Sequence, residues 1–434
     1  MKKFLPLLLC ALLLVLCFPW GEPEDEIPHL SDNPTVGESE TDREGSLRAP
    51  HSAVNYSCMR AIWLSQYDMY GVCTEGGEQR ERRDFILLVR NILDNVKALG
   101  FNTVIVQVRP FGDSFYPSEH YPMSAYAVGA YGRDADYDPF SIIVGEAHLR
   151  GLSIHAWINP LRCMRTDELE NVSGEYKTKE WFEYSFADRA VEVSGRVYLN
   201  PAYPEVRELV CDGVSEIIRN YPVDGIHIDD YFYPTTDTEF DRIAYSRYLG
   251  RGGKLSLADF RREQISSLVH EIYTTVKSEN GGVIFGVSPS GVMENNYDRL
   301  YADVALWCAE EGYVDYICPQ VYFGFEHSTC PFDRVCDEFS AMVKNKNVRL
   351  IIGLSLGKAE AEYDPYAGEG KYEWRDSKDV LRRSMEYLGS IGNCSGFAFF
   401  SYQHFYDPVS GEENERTAAE REGILSIIKA GLTY

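Results

Sequence analysis

The chain has 434 residues and a formal net charge of −25 at pH 7, with 44% hydrophobic and 13% aromatic residues. This apolar content excludes a mainly disordered chain. The negative charge argues against a nucleic-acid backbone as the main partner, because such binding needs clustered Lys and Arg side chains. The length is compatible with two or three domains, or with one (β/α)8 barrel that has long loops.

Residues 1–20 predict an export signal or an anchor. Lys2 and Lys3 precede an apolar run from Phe4 to Trp20, the pattern of a secretory signal. The run is about 17 residues long, near the lower limit for a membrane-spanning helix. We expect an exported protein, in the cell envelope or outside the cell. A lipid anchor on Cys10 or Cys17, an uncleaved membrane anchor and free secretion all stay open.

Residues 21–57 predict a disordered acidic linker. This segment holds nine acidic side chains against two basic ones, together with four prolines, and it shows no apolar period. Such a chain cannot bury enough apolar surface to order itself, and its charges repel one another. We expect the linker to hold the folded part off a membrane.

From residue 58 to residue 434, short β-rich runs alternate with amphipathic helical runs. The predicted strands are 61–66, 103–109, 153–158, 225–229, 284–288, 316–322, 350–355 and 396–401. The predicted helices are 85–99, 140–150, 204–220, 257–278, 299–311, 333–344, 377–390 and 421–429. Eight βα units in series predict a parallel sheet closed into a (β/α)8 TIM barrel. The alternative is an open doubly wound sheet, but the chain has no Gly-rich dinucleotide fingerprint to support it.

In such a barrel the chemistry lies where strands end and βα loops begin. The most specific feature there is DGIHIDDYFYP, residues 224–234, with two adjacent carboxylates after a buried strand. The period of two along a strand places His227, Asp229 and Tyr231 on one face. Glycoside hydrolysis needs one protonated and one ionised carboxyl group in a cleft. Asp229 is therefore predicted as the nucleophile or base, and Asp230 either shares the chemistry or caps nearby N–H groups.

The predicted proton donor is Glu326, which follows strand 6, with Asp113 after strand 2 as its rival. Arg109 ends a buried strand, where an Arg is costly unless paired. It either orients a carboxylate such as Asp229, binds substrate, or forms a structural ion pair in the barrel. The predicted substrate-binding residues also include side chains that hydrogen-bond sugar hydroxyls or offer rings to them. These are Asn159, His227, Gln320 and Tyr322, with Tyr231 and Tyr402 as ring platforms at strand ends.

Metal catalysis is the main chemical rival. Asp229, Asp230, His227 and His155 together have the oxygen and nitrogen donors of a metal site. No HExxH or similar spacing supports it, and the sequence predicts neither a metal nor a cofactor. Two other functions stay open: a non-catalytic glycan-binding barrel that uses the same cleft, and a metal-dependent polysaccharide deacetylase-like hydrolase.

After residue 58 the motifs resemble those of the bacterial glycosyl-hydrolase-like 10 family. Matching stretches include FNTVIVQVRPFGDSFYPS (101–118), YLNPAYPEVRELV (198–210), DGIHIDDYFYP (224–234) and DYICPQVYFGF (315–325). The resemblance implies a TIM-barrel glycosidase, exported or lipid-anchored, that cleaves bacterial cell-wall glycan, including strands stripped of stem peptides. It implies Asp229 and Asp230 as the catalytic pair and a substrate-binding set of Arg109, Asp113, Asn159, Gln320 and Tyr322. The run Gly225-x-His227-x-Asp229 is also similar to the strand-4 motif of α-amylase-type hydrolases, where that Asp is the nucleophile.

Overall fold

The computed structural model describes residues 51–184 and 186–431. Over these residues the chain forms a closed barrel of eight parallel strands, which confirms the predicted (β/α)8 architecture. The strands are β1 (Met59–Leu64), β2 (Thr103–Arg109), β3 (Ser153–Ile158), β4 (Gly225–Ile228), β5 (Ile284–Val287), β6 (Tyr316–Ile317), β7 (Arg349–Ser355) and β8 (Cys394–Phe400). They follow one another in chain order around the barrel, and β1 closes it by pairing with both β2 and β8. The predicted signal at 1–20 lies outside the described residues.

Helices cover the outside of the barrel. They are α1 (Gln66–Cys73), α2 (Arg82–Ala98), α3 (Ala125–Val128), α4 (Pro139–Leu149), α5 (Thr166–Leu169), α6 (Lys177–Glu183), α7 (Pro204–Asn220), α8 (Arg242–Gly250), α9 (Leu257–Glu279), α10 (Val304–Ala309), α11 (Phe332–Met342), α12 (Glu373–Ser377), α13 (Val380–Leu388) and α14 (Ala418–Ala430). Helix α7 shows why these segments are helical. It begins at Pro204, has Glu205 in its first turn, and buries one apolar face. Within the described ranges, no helix has both the length and the apolar character that crossing a membrane requires.

The barrel wall separates two apolar clusters. Val104 and Val106 of β2 point outward into the large cluster under the helices, whereas Ile105 points into the barrel interior beside Trp63 and Trp157. This alternation is the period of two expected of a strand whose faces are both buried. The long loop after β3 adds a three-stranded antiparallel sheet of Arg162–Arg165, Ala190–Val193 and Arg196–Leu199. A short hairpin pairs Thr74–Glu75 with Glu78–Gln79.

Two elements differ from the sequence prediction. Strand β6 was expected over 316–322 but has only two residues, and Gln320 then makes single bridges to Ser290 and Gly353. Pro319 interrupts the ladder because it has no N–H to donate. The helix expected over 299–311 is also shorter, because a wide turn at Asn295–Arg299 precedes α10. The irregular end of β6 brings the Gln320 side chain to the mouth of the barrel.

The last residues of the predicted linker belong with the barrel. The Val54 N–H donates to the Asp224 carboxylate (2.7 Å), and the Asn55 side chain donates to the Asp224 carbonyl (3.0 Å). The Tyr56 hydroxyl donates to the Gly151 carbonyl. The linker predicted to run to residue 57 therefore ends earlier, because barrel groups satisfy the polar groups of 51–57. The rest of the predicted linker lies outside the described residues.

Candidate active site

Asp229 and Asp230 directly follow β4 at the carboxyl-terminal mouth of the barrel. Asp229 is only 5% exposed, and its carboxylate accepts a hydrogen bond from the Tyr231 N–H (3.3 Å). The Trp157 side chain lies close enough to lower the pKa of Asp229. Asp230 is half-buried and hydrogen-bonded to the side chain of Gln320. The ends of β3, β4 and β6 therefore meet around this pair. Gln320, after β6, lies beside Asp230.

Both carboxyl groups hold protons more tightly than an ordinary Asp. Burial raises the pKa of Asp229 well above its usual value, and the adjacent charge of Asp230 raises it further. Burial also raises the pKa of Asp230, against the opposing effect of its hydrogen bond with Gln320. Two neighbouring carboxyl groups in this environment favour the state with one proton between them. That state provides an acid and a carboxylate side by side.

Arg162 supplies positive charge to the pair. It begins the three-stranded sheet of the loop after β3, and its charge lowers the pKa of both Asp229 and Asp230. Its guanidinium lies 4.1 Å from the centre of the Tyr231 ring and 4.9 Å from that of Phe111. The sequence alone predicts no role for Arg162. The loop after β3 folds back because its three short strands pair with one another. The periodicity of the sequence does not reveal this pairing.

Three predicted binding residues line the mouth. The Asn159 side chain accepts a hydrogen bond from the Trp157 indole (3.1 Å) and donates to the Pro110 carbonyl (3.1 Å). The Tyr322 ring stacks on Phe400, with ring centres 6.2 Å apart, and the charges of both acids contribute to raising its pKa. Tyr231 follows the pair directly, and Arg162 covers one face of its ring. Asn159 thus orients Trp157, whereas Tyr322 and Tyr231 lie beside the carboxyl groups.

His227 lies below the mouth and is not a substrate-binding residue. It is fully buried inside the barrel, where the Trp63 indole N–H donates to its Nε2 (3.3 Å) and its Nδ1 contacts the Tyr316 hydroxyl (2.8 Å). Burial lowers the pKa of His227 well below its usual value, so the ring is neutral. Its place two residues before Asp229 puts it one layer deeper on the same inward face.

The model of the glycosyl hydrolase-like 10 family matches residues 58–366. The chain belongs to this family. Glycosyl hydrolase YngK of Bacillus subtilis is 33% identical over 346 residues, which cover 75% of this chain and 64% of YngK. Glycosyl hydrolase DigH of Escherichia coli is 30% identical over 430 residues, which cover 93% of each chain. The prediction of a glycoside hydrolase is confirmed at the level of the family.

Solved structures agree on the fold. The glycoside hydrolase domain of PgaB from Bordetella bronchiseptica has a TM-score of 0.55 at 14% identity, covering 85% of this chain and 99% of that domain. A β-galactosidase from Rahnella has a TM-score of 0.55 at 14% identity, covering 88% of this chain and 57% of that one. At this identity the likeness concerns the barrel and not the residues of the site.

Arg109 does not reach the mouth, although it ends β2. The pairing of β2 with β3 shifts register between Gln107 and Arg109, so the Arg109 side chain points outward. Its guanidinium lies 4.2 Å from the centre of the Tyr121 ring and beside Gly213 of α7. Gln107 faces the mouth instead and accepts a hydrogen bond from the Gln66 N–H (3.0 Å). The prediction that Arg109 binds substrate or orients Asp229 is therefore wrong.

Three further predicted residues are engaged elsewhere. Asp113 is fully buried and accepts hydrogen bonds from the Phe111 N–H (2.7 Å) and the Tyr131 hydroxyl (3.0 Å), so it organises its own loop. Tyr402 points into the helix layer, where its hydroxyl accepts from the Asn95 side chain of α2 (3.0 Å). Glu326 is exposed, and its N–H donates to the Glu373 carboxylate (2.8 Å). The desolvated surroundings of a general acid are at Asp229, not at Glu326.

A buried acid that sequence reasoning missed also lies at this end of the barrel. Asp68 accepts hydrogen bonds from the Ser65 N–H (2.7 Å) at the end of β1 and from the Gln403 N–H (2.6 Å) just after β8. Burial raises its pKa. Its signal in the sequence is the capping-box spacing Ser65-x-x-Asp68, which marks the start of α1. Asp68 therefore ties two strand ends together at the rim.

Proposed function

We propose that the protein is an exported glycoside hydrolase that cleaves O-glycosidic bonds in peptidoglycan glycan strands, with Asp229 and Asp230 as its acid–base pair. One observation carries the proposal: two adjacent carboxyl groups share a desolvated mouth in which burial raises the pKa of both. Glycosidases need one carboxyl group protonated and the other ionised near neutral pH. Membership of the glycosyl hydrolase-like 10 family supports this chemistry.

A difference in burial between the two carboxyl groups supports our proposal for their roles. Asp229 is the more deeply buried, and the Asp230 charge further raises its pKa, so Asp229 keeps the shared proton. Asp230 is half-buried and hydrogen-bonded to Gln320, so it is the ionised partner. In this proposal Asp229 protonates the leaving oxygen, and Asp230 acts as base or nucleophile. The strand pattern, in contrast, predicts Asp229 as the nucleophile or base.

The surroundings of the pair suit a sugar polymer. The stacked rings of Tyr322 and Phe400 offer an apolar face to a pyranose, and Gln320 offers an amide to its hydroxyl groups. The formal charge of −25 suits a neutral or amino-sugar glycan better than a polyanion. The predicted export signal at 1–20 supports a cell-wall substrate, because that glycan lies outside the cytoplasm.

Digestion of purified glycan strands stripped of their peptides, with products read by mass, tests the proposal. The wild type should release saccharides with new reducing ends, and Asp229→Asn and Asp230→Asn should each lower the rate by at least about 100-fold. Asp212→Asn, which changes an exposed acid on α7, is the matched control and should keep full activity. Binding without release over long incubation would favour the non-catalytic alternative.

Two further arms test the rest of the proposal. Hydrolysis that survives exhaustive chelation excludes the metal-dependent deacetylase-like alternative, whereas loss of acetyl groups without chain cleavage supports it. Fractionation of cells that produce the full chain should find the protein in the envelope or the medium. Recovery only from the cytoplasm would contradict the assignment to cell-wall glycan.

A further inference from the structure

The end of the barrel opposite the carboxyl pair holds a second polar cluster. Asp224 precedes β4, His148 lies in the last turn of α4, and His51 belongs to the segment before the barrel. Both imidazoles direct Nε2 at the same carboxylate, His51 at Oδ1 (3.0 Å) and His148 at Oδ2 (2.9 Å). The geometry points to a site for a divalent transition-metal ion of the zinc class, formed by His51, His148 and Asp224.

The spacing of these atoms fits such an ion. Zinc binds imidazole nitrogen at about 2.0–2.1 Å and carboxylate oxygen at about 2.0–2.2 Å. Two such ligands on a tetrahedral ion lie about 3.4 Å apart. The nitrogen–oxygen distances of 3.0 and 2.9 Å therefore need to open by only about 0.4–0.5 Å for an ion to enter. The three ligand atoms all lie within 4.8 Å of one another. Two imidazoles and a carboxylate are a donor set that suits zinc, cobalt or nickel better than calcium or magnesium.

The carboxylate is held in place by a second layer of hydrogen bonds. The Val54 N–H donates to Oδ1 of Asp224 (2.7 Å), and the Ile154 N–H donates to Oδ2 (2.8 Å). Each carboxylate oxygen thus has its own backbone donor, which holds the carboxylate in one orientation toward the two imidazoles. Fixed outer partners of this kind are typical of metal ligands.

The two imidazoles pack against each other and are still within reach of solvent. Their rings stack with centres 5.3 Å apart and planes 23° apart, and their side chains are 21% and 25% exposed. An ion can therefore enter from solvent, and a water molecule can complete its coordination. A bound ion would join the segment before the barrel to α4 and to the start of β4. The ligands come from three distant parts of the chain, so no spacing motif marks them in the sequence.

Zinc titration of the chelator-stripped full chain tests this site. We expect one equivalent of zinc in the wild type, measured by calorimetry, and a rise in melting temperature with zinc. His51→Gln and His148→Gln keep a side-chain N–H that can reach Asp224 but remove the imidazole ligand. Each should weaken zinc binding by at least about 100-fold. His270→Gln changes an exposed imidazole bonded to the Gly312 carbonyl, and it should bind like the wild type.

Cobalt gives a second readout that separates this cluster from the nine free cysteines of the described chain. Cobalt at His51, His148 and Asp224 should give ligand-field absorption without the charge-transfer band that a thiolate produces. Equal zinc affinity in the wild type and both glutamine variants, or a thiolate band, would overturn the proposal. A wild-type chain that binds no zinc would also overturn it. The cluster would then be only a set of hydrogen bonds between the two histidines and Asp224.

Discussion

Replacing Asp229 by Asn should make the protein more stable while it abolishes hydrolysis. The folded-state pKa of Asp229 is raised, so folding disfavours its ionised form, and the unfolded chain does not share this cost. The loss of folding stability at pH 7 cannot exceed the free energy of protonating an ordinary Asp at that pH, because the folded protein can always bind the proton instead. From an ordinary value of 3.8, this is about 3.2 pH units at 1.36 kcal/mol each, or about 4 kcal/mol. Asn keeps a carbonyl oxygen that can accept the Tyr231 N–H.

The gain should be visible in thermal unfolding. The roughly 380 described residues imply an unfolding entropy of about 0.8 kcal/mol/K, so a gain of 2 to 4 kcal/mol corresponds to about 3 to 5 °C. Because the penalty grows as pH rises above the unfolded-state value, the gain should be present at pH 7 and should vanish near pH 3. Asp212→Asn should show no such pH-dependent gain.

Calorimetric scans of both variants at several pH values measure this directly. A lower melting temperature for Asp229→Asn at pH 7 would refute the argument that burial raises the pKa of Asp229 and so destabilises the folded protein at that pH. A gain that is equal at pH 3 and pH 7 would also refute it, because titration would then not be its cause. Such an outcome would remove the physical basis for placing the shared proton on Asp229.

Three other outcomes follow from the contacts described above. Arg162→Met should raise the pKa of both acids and move both limbs of the kcat/KM profile to higher pH, and Arg162→Lys should partly restore the wild-type profile. Asp241→Asn breaks the fully buried ion pair with Arg261 (2.7 Å) and should cost about 3–5 kcal/mol, read as a fall in melting temperature of about 4–6 °C. Tyr402→Phe should leave hydrolysis unchanged and cost about 1 kcal/mol in denaturant unfolding, because its hydroxyl bonds to Asn95 of the helix layer and not toward the mouth.

The alternation of strand and helix was readable from the sequence because the barrel buries both faces of its strands. Apolar runs such as 103–109 and 153–158 match β2 and β3, and the predicted helix at 204–220 matches α7. The prediction overextended β6, because Pro319 sits in an apolar run that continues beyond the hydrogen-bonded ladder. Local pattern therefore determines which segments pair, while single residues decide where the pairing stops.

The site was less readable, because side-chain direction at a strand end depends on local irregularity. Alternation from Ile105 would turn Arg109 toward the mouth, but the register shift after Gln107 turns it outward. Arg162 reaches the pair only through a sheet formed within a loop. The position of Asp229 and Asp230 at the mouth was readable because they follow a strand that keeps its period to the end. Side-chain positions were readable where the backbone is regular, and not where it bulges or folds back.

The short strand β4 carries an acid at each end, Asp224 at its start and Asp229 after its last residue. Five residues of extended chain separate them by about 16 Å. Val54 and Asn55, which precede the barrel, donate hydrogen bonds to Asp224. The proposed zinc cluster and the carboxyl pair therefore lie at opposite ends of the barrel. A long polymer that crosses the mouth would not meet the two histidines, so an ion bound there would leave the path of the substrate free.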